Sequence, residues 1–210
     1  AQGLEAAKER RQQRLPTDVA YAKLLAFAQE RGARPVRTPG SAPAYLWMVM
    51  ELGYLCRLRG IETLTLTEAN GTEEGLRTNR RKRSRDNLVE WTPRLRAAWD
   101  AALARRRAII ERRSMPVPMR PDQRVVFIAD HGEPLLKTSL DSAWQRFVQL
   151  AMDAGVISAE ERFSLHDLKR KGGTDTAGNR ADRQDALGVS DAMMRVYDKS
   201  IPRVKPAKAP

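Results

Sequence analysis

Cysteine and histidine are almost absent from this sequence of 210 residues. The single cysteine, Cys56, cannot form an internal disulfide, which excludes a disulfide-stabilised scaffold and is compatible with a reducing cytoplasm. The two histidines, His131 and His166, are far apart, and neither lies in a cluster with cysteine or carboxylate residues. Because metal sites of the zinc type need such clusters, the sequence predicts no metal site.

Long hydrophobic runs and nucleotide-binding loops are also missing. The most apolar stretch, 44–56, contains Glu51. It is shorter than the ~20 residues that cross a bilayer, so it predicts a buried core helix. A glycine-rich loop with a phosphate-binding lysine is absent as well, so we expect no use of ATP. Any chemistry predicted for this chain therefore has to work without a cofactor.

Basic residues, in contrast, are abundant. The chain has 38 Lys and Arg against 26 Asp and Glu, which gives a formal net charge of +12. Such an excess favours a polyanionic partner, because each basic group near a phosphate releases a condensed counterion. Charge alone leaves other interpretations open, namely a solvated basic surface, ribosomal-type binding or contact with a membrane surface.

Hydrophobic spacing and capping residues indicate a mainly helical α+β domain with one small antiparallel sheet. The predicted strands are a short one at 63–67 and a hairpin at 76–91. The predicted helices are at 18–32, which starts after Thr17 and stops at Gly32, 44–58, a helix capped by Thr92-Pro93, 139–154, and three short ones near 165–171, 180–187 and 191–199. The expected divisions are an arm with the first helix at 1–40, the main domain at 41–203 and an extended tail at 204–210.

Four segments that follow one another in the chain hold residues suited to phosphodiester chemistry. The motif Arg-Gly-Ile-Glu at 59–62 follows the apolar helix, and Lys82 is the one lysine among five arginines of the hairpin. The motif His-Asp-Leu-Lys at 166–169 opens a later helix, for which Ser164 is the expected cap. Tyr197 follows 31 positions after His166, in a short helix near the end.

In this order, the four segments resemble the tyrosine recombinases of the phage-integrase type over residues 44–203. The resemblance implies a site-specific DNA breaking-rejoining domain that cleaves double-stranded DNA through a 3′-phosphotyrosine intermediate. It also implies a reaction without metal or ATP. The protein is then expected to act as a homo-oligomer, a tetramer on DNA, and to be a cytoplasmic bacterial or phage-encoded protein. The match identifies the catalytic residues as Arg59, Lys82, His166, Lys169 and Tyr197.

The chemistry explains these residue types, although each also has a simpler interpretation. The guanidinium of Arg59 can neutralise charge on the non-bridging oxygens, or it can form a surface ion pair with Glu62. Lys82 can protonate the leaving 5′ oxygen if neighbouring cations depress its pKa, or the hairpin can be a solvated charged turn. His166 can assist proton transfer at the tyrosine, or it can be a capping or packing residue. Tyr197 can be the nucleophile, or a packing residue.

Further cations of the hairpin and of the His166 helix are predicted to contact the DNA backbone. They are Arg77, Arg80, Arg81, Arg83, Arg85, Arg170 and Lys171.

The sequence departs from the family pattern at two positions. Lys169 stands where the family usually has its second arginine, so a bidentate donor becomes a point charge unless Arg170 reaches in instead. Val189 stands where a histidine or tryptophan donor is common, and the interval to Tyr197 is about one residue short. Residues 1–40 also look too short for the DNA-clamping domain that family members usually carry before the catalytic domain.

Two other functions remain open on the sequence. The segment 183–197 is similar to a helix-turn-helix, with Gly188 as its turn, which would suit a non-enzymatic DNA-binding regulator. That alternative leaves the arginine-rich hairpin and the motif at His166 unexplained. A tyrosine-type topoisomerase would share the same chemistry. Covalent attachment to DNA distinguishes the regulator from both enzymes.

Overall fold

The computed structural model describes residues 15–36, 38–81 and 84–197, and for 195–197 it describes the backbone alone. Strands β1 (Gly75–Arg77) and β2 (Leu88–Glu90) pair antiparallel, with Leu76 opposite Val89. The helices are α1 (Asp18–Gly32), α2 (Tyr45–Leu55), α3 (Gly60–Leu64), α4 (Pro93–Arg113), α5 (Lys137–Asp153), α6 (Leu165–Thr174), α7 (Arg180–Leu187) and α8 (Asp191–Tyr197). The α+β prediction and the hairpin are confirmed, whereas the arm at 1–14 and the tail at 204–210 lie outside the described residues.

Local capping explains where the first long helices begin. The hydroxyl of Thr17 accepts a hydrogen bond from the backbone N–H of Ala20 at 3.1 Å, and Thr92 accepts one from Leu95 at 3.2 Å. Each bond satisfies an amide that the helix itself leaves without a partner. Both starts were predicted from the sequence and are confirmed.

The core is built around α2, which packs against α1, α4 and α6. Leu46, Met50 and Leu52 of this helix are fully buried. Glu51 is buried beside them, and its carboxylate accepts hydrogen bonds from the hydroxyl of Tyr21 and from Nε and Nη2 of Arg94. This pairing makes it possible for a charged residue to lie in an otherwise apolar helix.

The predicted strand at 63–67 is wrong, because Thr63 and Leu64 are the last two residues of α3 and Thr65 caps the end of that helix. The carboxylate of Glu62 accepts the backbone N–H of Arg59 at 2.7 Å and so favours a helix start there. Extended pairing is confined to the end of the segment, where Leu66 accepts a hydrogen bond from the N–H of Val126 and Thr67 forms a single bridge. Thr63 is buried like Leu64 and Leu66, so the alternation of threonine and leucine does not follow burial in this segment.

α2 ends three residues earlier than predicted because Arg57 adopts a left-handed backbone conformation, with φ 53°. This conformation is uncommon for residues other than glycine, and it ends the helical hydrogen-bond pattern, since the N–H of Leu58 donates to the carbonyl of Gly53. Leu58 is then fully buried, and Arg59 starts α3. The turn at Arg57 thus sets the position of the first candidate catalytic residue. No described helix is long and apolar enough to span a membrane.

Candidate active site

A cleft of about 610 Å³ lies between α3, α5 and α6, and we call it the α3–α6 cleft. Arg59, His166 and Arg170, which are predicted site residues from two separate segments, line it together. Lys137 and Arg162 line it as well and were not predicted, because they lie outside the four motifs. Lys137 is the first residue of α5, and Arg162 lies three positions before α6. Their positions near predicted helix starts are the sequence signal by which they could have been found.

Arg59 is held in the cleft by a buried carboxylate. Its Nη1 atom lies 2.6 Å from Oε1 of Glu62, which is fully buried, whereas the Arg59 side chain keeps 17% of its exposure. Burial alone would raise the pKa of Glu62. Hydrogen bonds from Arg59 and Arg81, together with the charge of Lys169, lower it below its ordinary value instead. The carboxylate therefore stays ionised and fixes the orientation of the guanidinium.

Lys169 lies beneath the cleft and is fully buried. Its Nζ is 3.6 Å from Oε2 of Glu62, so the two cations Arg59 and Lys169 share one carboxylate. Burial lowers the pKa of Lys169 to about 8, and the charges of Arg80 and Arg59 act in the same direction, against the opposing effect of Glu62. Lys169 is thus a buried charge close to its titration point.

Arg170, the next residue, is the cation of α6 that lines the cleft itself. Its side chain is 22% exposed, and Nη1 lies 3.1 Å from Oδ1 of Asp167. Asp167 also accepts hydrogen bonds from the backbone and hydroxyl of Ser164, the predicted cap of this helix. The start of α6 therefore orients Arg170 through its own capping residue.

His166 lies on the exposed side of α6 in the same cleft. Partial removal from solvent lowers its pKa, and the neighbouring charges of Arg170, Arg59 and Lys169 lower it further. The imidazole is consequently neutral near pH 7. A neutral imidazole can accept a proton from a nearby hydroxyl, which a protonated one cannot do.

The hairpin reaches the same group of charges through its backbone. The N–H of Arg81 donates to Oε1 of Glu62 at 3.1 Å, so the chain passes beside the carboxylate that holds Arg59. The side chains of Arg77, Arg81 and Arg85 are exposed. Lys82 and Arg83 lie outside the described residues, and the roles predicted for all these residues stay predictions.

The protein itself binds the cationic groups of Arg80 and Lys171, which were predicted to contact DNA. Arg80 donates to the main-chain carbonyls of three other residues. Lys171 is 4% exposed and pairs with Asp18 and, at 2.8 Å, with Asp175. The sequence pattern identified both as basic but could not show that each has a partner far away in the chain.

Tyr197 is the last residue of α8, which packs against α6, the helix of His166. The structure describes its backbone and not its side chain. Val189, at the family's donor position, packs against the buried Leu187 and Met194. An apolar residue in this cluster offers no hydrogen-bond donor to a phosphate. Among the described residues, no group of His, Cys, Asp and Glu could hold a metal ion.

The domain has the tyrosine recombinase fold. The Tn1549 transposon integrase, solved in complex with circular intermediate DNA, superposes with a TM-score of 0.60 at 13% identity, over 84% of this chain and 59% of that one. A lambda integrase dimer bound to a COC′ core site superposes with a TM-score of 0.62 at 14% identity, over 91% of this chain and 50% of that one. This chain thus spans between half and three fifths of these integrases. The sequence matches no protein-family profile and no curated protein.

The buried ammonium of Lys169 predicts that stability rises with pH. Its pKa is about 8 in the folded protein against an ordinary 10.5, so between these values the unfolded chain binds more protons at this residue. The free energy of unfolding therefore increases with pH in this window. Below pH 8 Lys169 is protonated in both states, so the energetic penalty of burying its charged ammonium stays constant. Replacement by methionine, which has a similar length and no charge, removes the penalty.

We expect the free energy of unfolding of the native protein, minus that of Lys169→Met, to rise between pH 7.5 and 9.5. Urea titrations at several pH values measure it, and the subtraction cancels the titration of Cys56 and the tyrosines. A difference that is flat or falls with pH would show that the lysine is not held charged against burial.

Proposed function

We propose that this chain is the catalytic domain of a site-specific DNA recombinase that cleaves and rejoins double-stranded DNA through a 3′-phosphotyrosine. The observation that carries the proposal is the α3–α6 cleft, where Arg59, His166 and Arg170 meet in a domain with the tyrosine recombinase fold. Arg59 is oriented by a buried carboxylate, and partial burial together with cationic neighbours lowers the pKa of His166, so that its imidazole is neutral. An oriented guanidinium can neutralise charge on a phosphodiester, and a neutral imidazole can accept a proton from the attacking hydroxyl.

The proposed cleavage step transfers one ester bond. The hydroxyl oxygen of Tyr197 attacks the phosphorus, and the bond from phosphorus to the 5′ oxygen breaks. His166 accepts the phenolic proton, and Lys82 donates a proton to the leaving oxygen. The energy of the broken bond is retained in the phosphotyrosine, so a 5′ hydroxyl can reverse the reaction without ATP or metal.

The cations of the cleft stabilise the charge that develops during this step. In the transition state the non-bridging oxygens become more negative, and fixed donors aimed at them lower the barrier. Arg59 and Arg170 line the cleft, so their guanidinium groups are the donors that meet these oxygens. Lys169 also contributes positive charge to the cleft. Because its side chain is fully buried, it acts on the phosphate through its charge and not through direct contact. The full reaction joins two DNA sites, which requires an assembly of several chains, and we propose a tetramer.

A nicked DNA substrate tests the proposal, because a nick near the cleavage site lets the short product diffuse away and traps the covalent complex. The target sequence is unknown, so the probe is a pool of nicked duplexes with a randomised core, incubated at low salt with EDTA. We expect a protein–DNA adduct that survives denaturing electrophoresis and whose recovered DNA converges on one sequence. Adducts that require a divalent metal would contradict the proposed mechanism.

A second candidate function rests on the local shape of α7 and α8. Gly188 ends α7 in a left-handed conformation with φ 63°, and the turn of a helix-turn-helix often contains glycine. The buried residue Met194 attaches α8 to Leu187, and α8 also packs on α6, so the pair is an integral part of the domain. If the protein binds one sequence from the pool tightly and forms no adduct with it, the regulator is the better explanation.

A further inference from the structure

The guanidinium of Arg80 is surrounded by protein acceptors. Nη1 donates to the carbonyl of Arg57 at 2.9 Å, and Nη2 lies 3.1 Å from the carbonyl of Cys56. The same Nη2 lies 2.7 Å from the carbonyl of Ala186 and 3.2 Å from Oδ1 of Asn87. Burial lowers the pKa of Arg80 to about 10. Both terminal nitrogens of Arg80 therefore donate to the protein and not to solvent, and its Nε is buried without a hydrogen-bond partner among the described residues.

The main-chain acceptors of Arg80 lie at the ends of two helices that are far apart in sequence. Cys56 and Arg57 follow the last residue of α2, and Ala186 is in the last turn of α7. The final carbonyls of a helix have no partner within it and carry partial negative charge. One guanidinium therefore caps two helices, and its planar fork allows this, whereas a lysine amine is a single point.

Two further residues of the hairpin loop, Asn87 and Arg85, donate three hydrogen bonds to the same end of α7. Nδ2 of Asn87 donates to the carbonyls of Asp185 and Ala186 at 2.8 and 3.0 Å, and the N–H of Arg85 donates to the carbonyl of Gly188 at 2.8 Å. A Cβ atom at Gly188 would lie 2.2 Å from the carbonyl oxygen of Arg85 and 2.8 Å from Cδ of Arg80. The loop and the turn after α7 are thus in direct contact, with no space for a side chain.

Each segment that Arg80 joins leads into the candidate active site. Arg57 is the left-handed residue two positions before Arg59. The N–H of the next hairpin residue, Arg81, donates to Glu62. Gly188 starts the connection to α8, whose last residue is Tyr197. A displacement of Arg80 would therefore alter the spacing between the first arginine, the hairpin and the tyrosine helix.

We propose that Arg80 is a positioning residue, which joins the α2 turn, the hairpin and the end of α7 so that the groups needed for cleavage stay in register. This inference rests on the proposed recombinase function. It replaces the predicted phosphate contact of Arg80 by a contact within the protein. It also predicts that this position needs arginine, since Arg80→Lys keeps the charge and loses the fork.

The test compares Arg80→Lys and Arg80→Ala with Arg77→Ala, which removes an exposed arginine of the same hairpin. Binding to the selected DNA is measured over a range of salt concentrations, and cleavage is measured in a single turnover at saturating protein. We expect both Arg80 variants to cleave at least ~10²-fold more slowly, because small misplacements at an active site have effects of this size. The salt dependence of their binding should equal that of the native protein.

Arg77→Ala tests the predicted phosphate contact of Arg77 and shows what the loss of one such contact does to binding. It should make the slope of log K against log salt less steep by about 0.9, whereas the Arg80 variants should leave that slope unchanged. The inference is overturned if Arg80→Lys cleaves at the native rate, or if Arg80→Ala lowers the salt slope. Asn87→Ala removes the hydrogen bonds of this side chain to α7, Arg80 and Thr78 but keeps the bonds of Arg80 to main-chain carbonyls, so it keeps the test valid should the Arg80 variants fail to fold.

Hydrogen exchange separates this inference from the recombinase proposal, because it needs no cleavage. We expect Arg80→Lys to speed amide exchange at least ~10-fold in α7, α8 and the hairpin loop, and to leave α4 and α5 unchanged. If the native protein forms no DNA adduct but these segments respond as expected, the recombinase proposal fails and the positioning role of Arg80 remains. Unchanged exchange in all segments would overturn the positioning role of Arg80 itself.

Discussion

Replacement of Tyr197 by phenylalanine is expected to abolish covalent attachment to DNA completely and to leave DNA affinity unchanged. The substitution removes one oxygen atom, the proposed nucleophile, and keeps the ring. Without that oxygen, no ester to phosphorus can form, so the loss does not depend on the strength of any other interaction. Denaturing electrophoresis with the nicked substrate measures attachment, and equilibrium binding to the intact duplex measures affinity.

Tyr54→Phe is the matched control for this experiment. Burial raises the pKa of Tyr54 to about 12, and its hydroxyl donates to Asp175 at 2.8 Å. Burial raises the pKa of Tyr21 and Tyr45 as well. These hydroxyls are poor nucleophiles, so Tyr54→Phe should form the adduct at a native rate. Peptide mapping of the adduct to Tyr21, Tyr45 or Tyr54 would refute the assignment of Tyr197.

Arg59→Ala should slow cleavage about 10²–10³-fold at saturating DNA, the cost usually seen when one fixed donor to a developing oxyanion is removed. The loss belongs to the transition state, since Arg59 is held by Glu62 whether or not DNA is bound. DNA affinity should change much less than the rate. Single-turnover cleavage and equilibrium binding, measured on the same substrate, separate the two quantities.

Two further variants decide between this role and a structural ion pair. Arg96→Ala removes an exposed arginine that pairs with Asp100 on α4, outside the α3–α6 cleft, and it should cleave like the native protein. Arg59→Lys keeps a positive charge without the fork, so it should restore part of the lost rate. If Arg59→Ala lowers thermal stability but cleaves at the native rate, the interaction with Glu62 is structural only.

Much of the fold could be predicted because its signals are local. Residues within a few positions of each other determine these features, namely the caps at Thr17 and Thr92, the hairpin and the order of the short helices after Ser164. The prediction of a strand at 63–67 was wrong because an alternation of threonine and leucine over five residues does not distinguish a strand from the end of a short helix and the turn that follows it. Hydrogen bonding by Glu62 decided the outcome.

The candidate site was predictable in its residue types and less so in its geometry. The motifs identified Arg59, His166 and Arg170, which line one cleft. They could not show that Lys169 is buried against Glu62, or that Arg80 and Lys171 each have one partner that lies 106 and 153 positions away, respectively. Contacts across such distances depend on the complete tertiary fold, which no short motif encodes.

The shared carboxylate of Glu62 also has a consequence for proton balance. Arg59, Lys169 and Glu62 together carry one net positive charge, which a bound phosphodiester would neutralise. An anion beside Lys169 raises the pKa of its ammonium, which is about 8 without DNA. Under the proposed function, DNA binding near pH 8 is therefore accompanied by uptake of a proton, and affinity decreases as the solution becomes more alkaline. This lysine makes DNA binding sensitive to pH, which an arginine in its place, charged throughout this range, would not.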